Sequence, residues 1–215
     1  MRRVGRLHVL TDITRQDRHD HAELARRALE GGADAIQFRE KRGATRGMIA
    51  IARVLAGICR DRGACLIVND RLDVALAADA EGVHLGREDF PLSLARHLLG
   101  PDRVIGASAE TVEEALEGMR AGADYIGAGP VYATGSKPDA SAPIGLEGLR
   151  AIACAVEIPV IAIGGVTVER VPEILAAGAY GIAVIEAVAC DPDPAAATRR
   201  LREALAAPAP GGRTP

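Results

Sequence analysis

Short runs rich in Val, Ile and Ala alternate with longer segments in which apolar residues recur every three or four positions, along nearly the whole chain. The short runs predict strands near 7–10, 35–38, 65–68, 82–85, 104–107, 125–127, 160–163 and 181–185. The longer segments predict helices, among them 22–30, 46–61, 112–119, 168–176 and a last one near 194–206. Eight strands alternating with eight helical segments predict an α/β fold, a single-domain (β/α)8 barrel over residues 1–206. An open doubly wound sheet is the alternative, because 215 residues is short for a barrel that typically takes about 250. The triplets Gly32-Ala33-Asp34, Gly122-Ala123-Asp124 and Gly178-Ala179-Tyr180 precede the second, sixth and eighth strands, and their glycines supply the left-handed turn out of a helix.

Composition narrows the class. A hydrophobic content of 48% supports a substantial core, and no low-complexity linker divides it. The segment 207–215, with Pro208, Pro210 and Gly211-Gly212, is expected to be a disordered tail. A net charge of −3 with scattered basic residues, 2% aromatics and no Trp argue against a nucleic-acid surface. Cys59, Cys65, Cys154 and Cys190 have no metal-ligand spacing and read as reduced, mostly buried residues of a cytoplasmic protein. No apolar run approaches the roughly 18 residues needed to span a bilayer, so no membrane partner is expected. The pattern leaves the oligomeric state open, and a homo-oligomer is compatible with it.

Among 26 Lys and Arg residues only Lys41 and Lys137 are lysines, and each closes a polar run just after a predicted strand. A surviving lysine in so arginine-rich a chain marks a place where a compact ammonium on a flexible stem serves better than a planar guanidinium. The one asparagine, Asn69, stands at another strand end. In a barrel such residues converge on the C-terminal face, where the chemistry of this fold is kept. The same rim carries Gln37, Arg39, Glu40, Asp70, His84, Glu88, Asp89, Ser108, Thr134-Gly135-Ser136 and Gly164-Gly165. Cations, hydroxyls, carboxylates and bare backbone amides together suit a phosphorylated ligand and a divalent metal. Asp70 and Asp89 end adjacent strands, about 4.8 Å apart, close enough to share one Mg2+. Blander roles compete: Asp70 as a helix cap, His84 as a hydrogen-bonded interior histidine, Glu40 as a partner of Arg39 or Lys41.

Five segments carry a resemblance. Gln37-Phe38-Arg39-Glu40-Lys41, Val68-Asn69-Asp70-Arg71, Val83-His84-Leu85-Gly86-Arg87-Glu88-Asp89, Gly129 to Lys137, and Ala162-Ile163-Gly164-Gly165-Val166 are similar, in this order, to the motifs of the thiamine phosphate synthase family. The similarity runs from Leu10-Thr11-Asp12 to about Leu205. It implies an enzyme that joins 4-amino-2-methyl-5-(diphosphooxymethyl)pyrimidine to hydroxyethylthiazole phosphate, giving thiamine monophosphate and pyrophosphate. It also implies that Gln37, Phe38, Arg39, Glu40, Lys41, Asn69, Ser108 and Lys137 hold the pyrimidine diphosphate, with Arg39, Lys41, Ser108 and Lys137 acting in catalysis. Asp70 and Asp89 would bind Mg2+, and Thr134, Gly135, Ser136, Gly165, Ile185 and Glu186 would surround the thiazole phosphate.

The chain departs from that pattern at Glu186, where the family usually has serine, and more mildly at Ser136 for threonine and Ala133 for proline. A carboxylate beside a phosphate is unfavourable, so the Glu186 side chain is expected to turn away. Two alternatives to the synthase are a thiazole tautomerase of the same family, which typically has histidine where Pro130 stands, and a non-catalytic regulator that binds thiamine phosphates.

Overall fold

The computed structural model describes residues 4–135 and 141–207. Its eight strands are β1 (Leu7–Leu10), β2 (Ala35–Phe38), β3 (Cys65–Asn69), β4 (Gly82–Leu85), β5 (Val104–Ala109), β6 (Tyr125–Ala128), β7 (Val160–Ile163) and β8 (Gly181–Val184). They run parallel in chain order, and β1 pairs with β8 through Leu7 and Ile182, His8 and Ala183, and Val9 and Val184, so the sheet closes into a barrel. Closure settles the choice between barrel and open sheet.

The surrounding helices are α1 (His21–Glu30), α2 (Thr45–Asp61), α3 (Leu72–Ala78), α4 (Leu92–Leu99), α5 (Val112–Arg120), α6 (Gly145–Ala155), α7 (Val171–Ala176), α8 (Glu186–Ala189) and α9 (Pro194–Ala206). The segment predicted as one helix over 168–176 is a 3-10 turn, Val168–Arg170, followed by α7. Pro172 explains the break, since a proline without an N–H fits the first turn of a helix and disrupts an interior. The predicted last strand ends one residue earlier, at Val184, because Ile185 caps the short α8.

Strands buried on both faces read as continuous apolar runs, and the burial here follows that rule. Leu7, Val9, Ile36, Phe38, Leu66 and Val68 pack outward against helices, while Leu10, Ala35, Ile67, Val104, Tyr125, Ile161 and Ala183 fill the barrel. The Gly-Ala-Asp triplets do more than turn the chain. Gly32, Gly122 and Gly178 have φ of 95, 98 and 98°, the left-handed values anticipated for them. The aspartates then close the barrel floor: Asp34 Oδ2 accepts from the amides of Arg6 and Leu7 at 2.9 and 3.0 Å, and Asp124 Oδ2 from that of Ile105 at 2.7 Å. Arg96 ties the same corner, donating to Asp124 and to the carbonyls of Gly100, Arg103 and Gly122.

All four cysteines are free thiols, but only Cys59 is buried. Cys154, on α6, and Cys190, at the end of α8, are exposed, against the expectation of mostly buried thiols. The tail expected to be disordered, apart from Ala207, lies outside the described residues.

Candidate functional site

A cavity of about 880 Å³ opens at the C-terminal ends of the strands. Its lining brings together Gln37, Arg39, Lys41, Asn69, Asp70, Asp89, Ser108, Thr134, Gly165, Ile185 and Glu186 of the residues expected there. Ser136 and Lys137 lie outside the described residues. Phe38, Glu40 and Gly135 are not part of the lining. Phe38 is 2% exposed and meets the His21 ring edge-to-face at 4.8 Å, in the layer between barrel and helices. The period of two along β2 puts Gln37 and Arg39 on one face and Phe38 on the other. Glu40 Oε1 accepts from its own loop, from the amides of Arg42 at 2.7 Å and Gly43 at 3.2 Å, and Oε2 lies 3.6 Å from His21 Nε2. Burial pushes the Glu40 carboxyl up, but the loop amide and His21 outweigh it and hold the group below its usual range. Glu40 therefore shapes the loop that presents Arg39 and Lys41, and it pairs with neither.

The cavity floor is polar but uncharged. His84 Nδ1 lies 2.9 Å from the Tyr125 hydroxyl and Nε2 3.0 Å from Ser108 Oγ. Two glycines make the room. A Cβ at Gly106 would fall 2.4 Å from His84 Nδ1 and 2.1 Å from Tyr125 Cζ, and one at Gly127 2.7 Å from His84 Cε1. Burial lowers the His84 pKa to about 4, with Asp70 opposing and His8 reinforcing. His8, fully buried with Nε2 3.0 Å from the Gly5 carbonyl, is lowered to about 4 for the same chief reason. Burial favours the neutral imidazole at both positions, and His84, hydrogen-bonded at both ring nitrogens, fits the interior reading.

One rim gathers charge. Lys41 Nζ pairs with Asp70 Oδ2, and Asp89 Oδ2 accepts the Gly86 amide at 2.7 Å. Burial raises the Asp89 carboxyl above its usual range, the adjacent Asp70 carboxylate adds to this, and the Gly86 amide and Lys41 oppose it. Asp70 stands in the left-handed region with φ of 64°, rare for a residue with a side chain. Its amide is fixed by the His84 carbonyl at 2.8 Å. It does not cap a helix: α3 starts after Arg71 without a side-chain cap. Because Lys41 is 46% exposed in its side chain, its pair with Asp70 contributes roughly 0–1 kcal/mol and is cheaply exchanged for a ligand. Among the described residues no cluster of three or more His, Cys, Asp or Glu could hold a metal. Two carboxylates are still a suitable donor set for Mg2+, which keeps waters and takes phosphate oxygens beside one or two protein ligands.

Arg39 is fixed differently. Its Nη1 pairs with Oδ2 of Asp12, a carboxylate 1% exposed whose Oδ1 accepts from Thr14 N at 3.0 Å and Thr14 Oγ1 at 2.6 Å. Removing one partner of a buried pair strands the other's charge, so Asp12 and Arg39 act as a unit. The sequence pattern assigned Asp12 no role, since 27 positions separate the pair.

The opposite rim is built by the loops after β6, β7 and β8. Gly165 has φ of 64°, and a Cβ there would fall 2.7 Å from Tyr132 Cβ and 2.8 Å from the Ala133 carbonyl oxygen. Arg170 donates to the Gly165 carbonyl at 2.5 Å and lies 4.1 Å over the Tyr132 ring, binding the β7 loop to the β6 loop. Glu186 Oε1 accepts from Arg15 Nε at 2.8 Å and Nη2 at 2.5 Å. Neither Arg15 nor Arg170 was legible as a site residue. The one signal was Glu186 itself, a carboxylate at an anion-suited corner, which requires a counter-charge.

Residues 7–188 match the family model described as thiamine monophosphate synthase. The thiamine-phosphate synthase of Moorella thermoacetica is 53% identical over 183 residues, 85% of this chain and 87% of that protein. That of Salinibacter ruber is 50% identical over 202 residues, 94% of this chain and 89% of the other. The solved structure of a thiamine phosphate pyrophosphorylase from Pyrococcus furiosus superposes with a TM-score of 0.86 at 47% identity, covering 94% of this chain and 95% of that one. With its barrel and its sequence in agreement from β1 to α8, the chain belongs to the thiamine monophosphate synthase family.

Proposed function

We propose that the protein transfers the pyrimidinylmethyl group of 4-amino-2-methyl-5-(diphosphooxymethyl)pyrimidine to the nitrogen of hydroxyethylthiazole phosphate. The products are thiamine monophosphate and pyrophosphate. The observation that carries this reading is the two-ended cavity: Arg39, Lys41, Asp70, Asp89 and Ser108 on one rim, Thr134, Gly165, Ile185 and Glu186 on the other, and an uncharged floor between them.

The chemistry that fits is dissociative. The bond from the exocyclic carbon to the diphosphate oxygen breaks with its electron pair leaving on pyrophosphate. The electron-rich aminopyrimidine delocalises the resulting cation. The thiazole nitrogen lone pair then forms the new C–N bond, so no enzyme nucleophile is needed. Arg39 and Lys41, with Lys137 expected from the sequence, bind and orient the departing anion, and Ser108 donates to it. Asp70 and Asp89 would hold Mg2+, which supplies charge neutralisation to the diphosphate when bound. This reading also takes the enzyme as cytoplasmic and working on small phosphorylated molecules, in line with its net charge of −3 and, among the described residues, no helix long and apolar enough to cross a membrane.

A substituent series on the pyrimidine tests the mechanism. An electron-withdrawing group on the ring should slow turnover by orders of magnitude, because it destabilises the cation. Rates indifferent to that group would contradict ionisation before attack.

A further inference from the structure

Resting on the synthase reading of the cavity, we propose that Arg15 recognises the phosphate monoester of the thiazole substrate, and that Glu186 is the residue that positions Arg15 for it. The backbone of Arg15 is pinned on both sides. Asp12 receives Thr14 N and Oγ1 at the start of its 3-10 turn, Ile13–Arg15. Cys190 Sγ donates to the Arg15 carbonyl at 3.3 Å, and Arg18 Nη2 donates to the carbonyls of Cys190 at 2.7 Å and Asp191 at 3.0 Å. The loop after β1 is thereby strapped onto α8, at the end of β8.

From that anchor the guanidinium reaches the thiazole-phosphate corner. Its Nε and Nη2 both rest on one oxygen, Glu186 Oε1, and a Cβ on Gly135 would lie 3.7 Å from Nη2. Arg15 therefore stands between the β6 loop and the β8 end, where Thr134 and Glu186 line the cavity. A guanidinium has five N–H donors, and Glu186 occupies two of them. The rest present a forked donor set of the kind that matches a phosphate. Both side chains are about one-third exposed, at 35% and 39%, so their bond is weak enough to share with an incoming dianion. The pairing accounts for a carboxylate where the family usually places a hydroxyl: Glu186 is neutralised by Arg15 and aims it.

A double-mutant cycle on the whole enzyme tests this, using the Michaelis constant for thiazole phosphate and calorimetric titration of thiazole phosphate against the unphosphorylated hydroxyethylthiazole. Arg15→Ala should raise the thiazole phosphate constant about ten-fold or more, because it removes a donor and exposes the Glu186 charge. The constant for the pyrimidine diphosphate should stay within about two-fold. Glu186→Ser should change the thiazole phosphate constant only a few-fold, Arg15→Lys should recover part of the loss, and the double variant should bind better than Arg15→Ala. The unphosphorylated thiazole should bind wild type and Arg15→Ala alike. Wild-type affinity for thiazole phosphate in Arg15→Ala, or equal losses for both thiazoles, would overturn the proposal. The titration separates this from the synthase reading, which is tested by product formation in wild type and does not depend on the Arg15 variants.

Discussion

His84 Nε2 lies 3.0 Å from Ser108 Oγ, at the point where the uncharged floor of the barrel meets the charged rim. The other ring nitrogen faces the Tyr125 hydroxyl, whose oxygen is hydrogen-bonded by Gln37. With the Gln37 amide donating to Tyr125, the chain of donors runs Tyr125 to Nδ1, Nε2 to Ser108, and Ser108 outward to the ligand. Ser108→Ala should lower turnover by about 100- to 1,000-fold, the scale of losing one donor to a developing anion. Tyr125→Phe should cost less, since it frees the tautomer without removing the last donor. Wild-type turnover in Ser108→Ala would remove Ser108 from the catalytic set.

The two buried imidazoles set an acid limit on stability. His8 and His84 have folded pKa values of about 4 against 6.5 unfolded, so the unfolded chain binds more protons between those values. Stability should be fully present above pH 6.5 and fall as the pH drops from 6.5 to 4, by on the order of 3 kcal/mol per histidine. Urea unfolding at pH 7.5 and pH 5 measures it. Equal stability at the two pH values would mean that the histidines are not held neutral.

Asp70 and Asp89 carry the metal assignment. Asp70→Asn and Asp89→Asn should each weaken Mg2+ binding and reduce turnover by about 100-fold or more, because the leaving diphosphate loses its main charge partner. Mg2+ titration of the variants, with turnover followed in parallel, checks this. Full activity of wild type in EDTA would contradict it.

Lys41 and Lys137 are expected to bind diphosphate rather than exchange protons. Lys41→Ala should raise the Michaelis constant for the pyrimidine diphosphate and lower turnover, while the ion pair with Asp70 that it also removes is too weak to account for the loss. Lys137→Arg should be impaired, though less than Lys137→Ala, since it keeps the charge and changes reach and shape. Steady-state kinetics of the three variants decides it, and equal activity of Lys137→Ala and wild type would undo the inference from lysine scarcity.

The fold was legible because its signals are local. Strand runs, amphipathic helices and the glycines at 32, 122 and 178 each act within a few residues, and the barrel follows from their alternation. Pro172 is an equally local signal, marking the break between the 3-10 turn and α7 inside the span whose periodicity predicts one helix. Site residues that project from strand ends were legible for the same reason. What was not legible depends on strand pairing between distant segments: Asp12 meets Arg39 only when β1 pairs with β2, and Arg15 meets Glu186 across 171 positions only once β1 and β8 close the barrel. The resemblance places Phe38 at the substrate, whereas the alternation Gln37, Phe38, Arg39 points it the other way, and the structure buries it outside the barrel interior.

The central claim is the condensation itself. Purified protein with both substrates and Mg2+ should release thiamine monophosphate and pyrophosphate in equal amounts, and omission of either substrate should abolish the former. Absence of thiamine monophosphate under saturating substrates, or turnover confined to proton transfer on a thiazole carboxylate phosphate, would contradict the account.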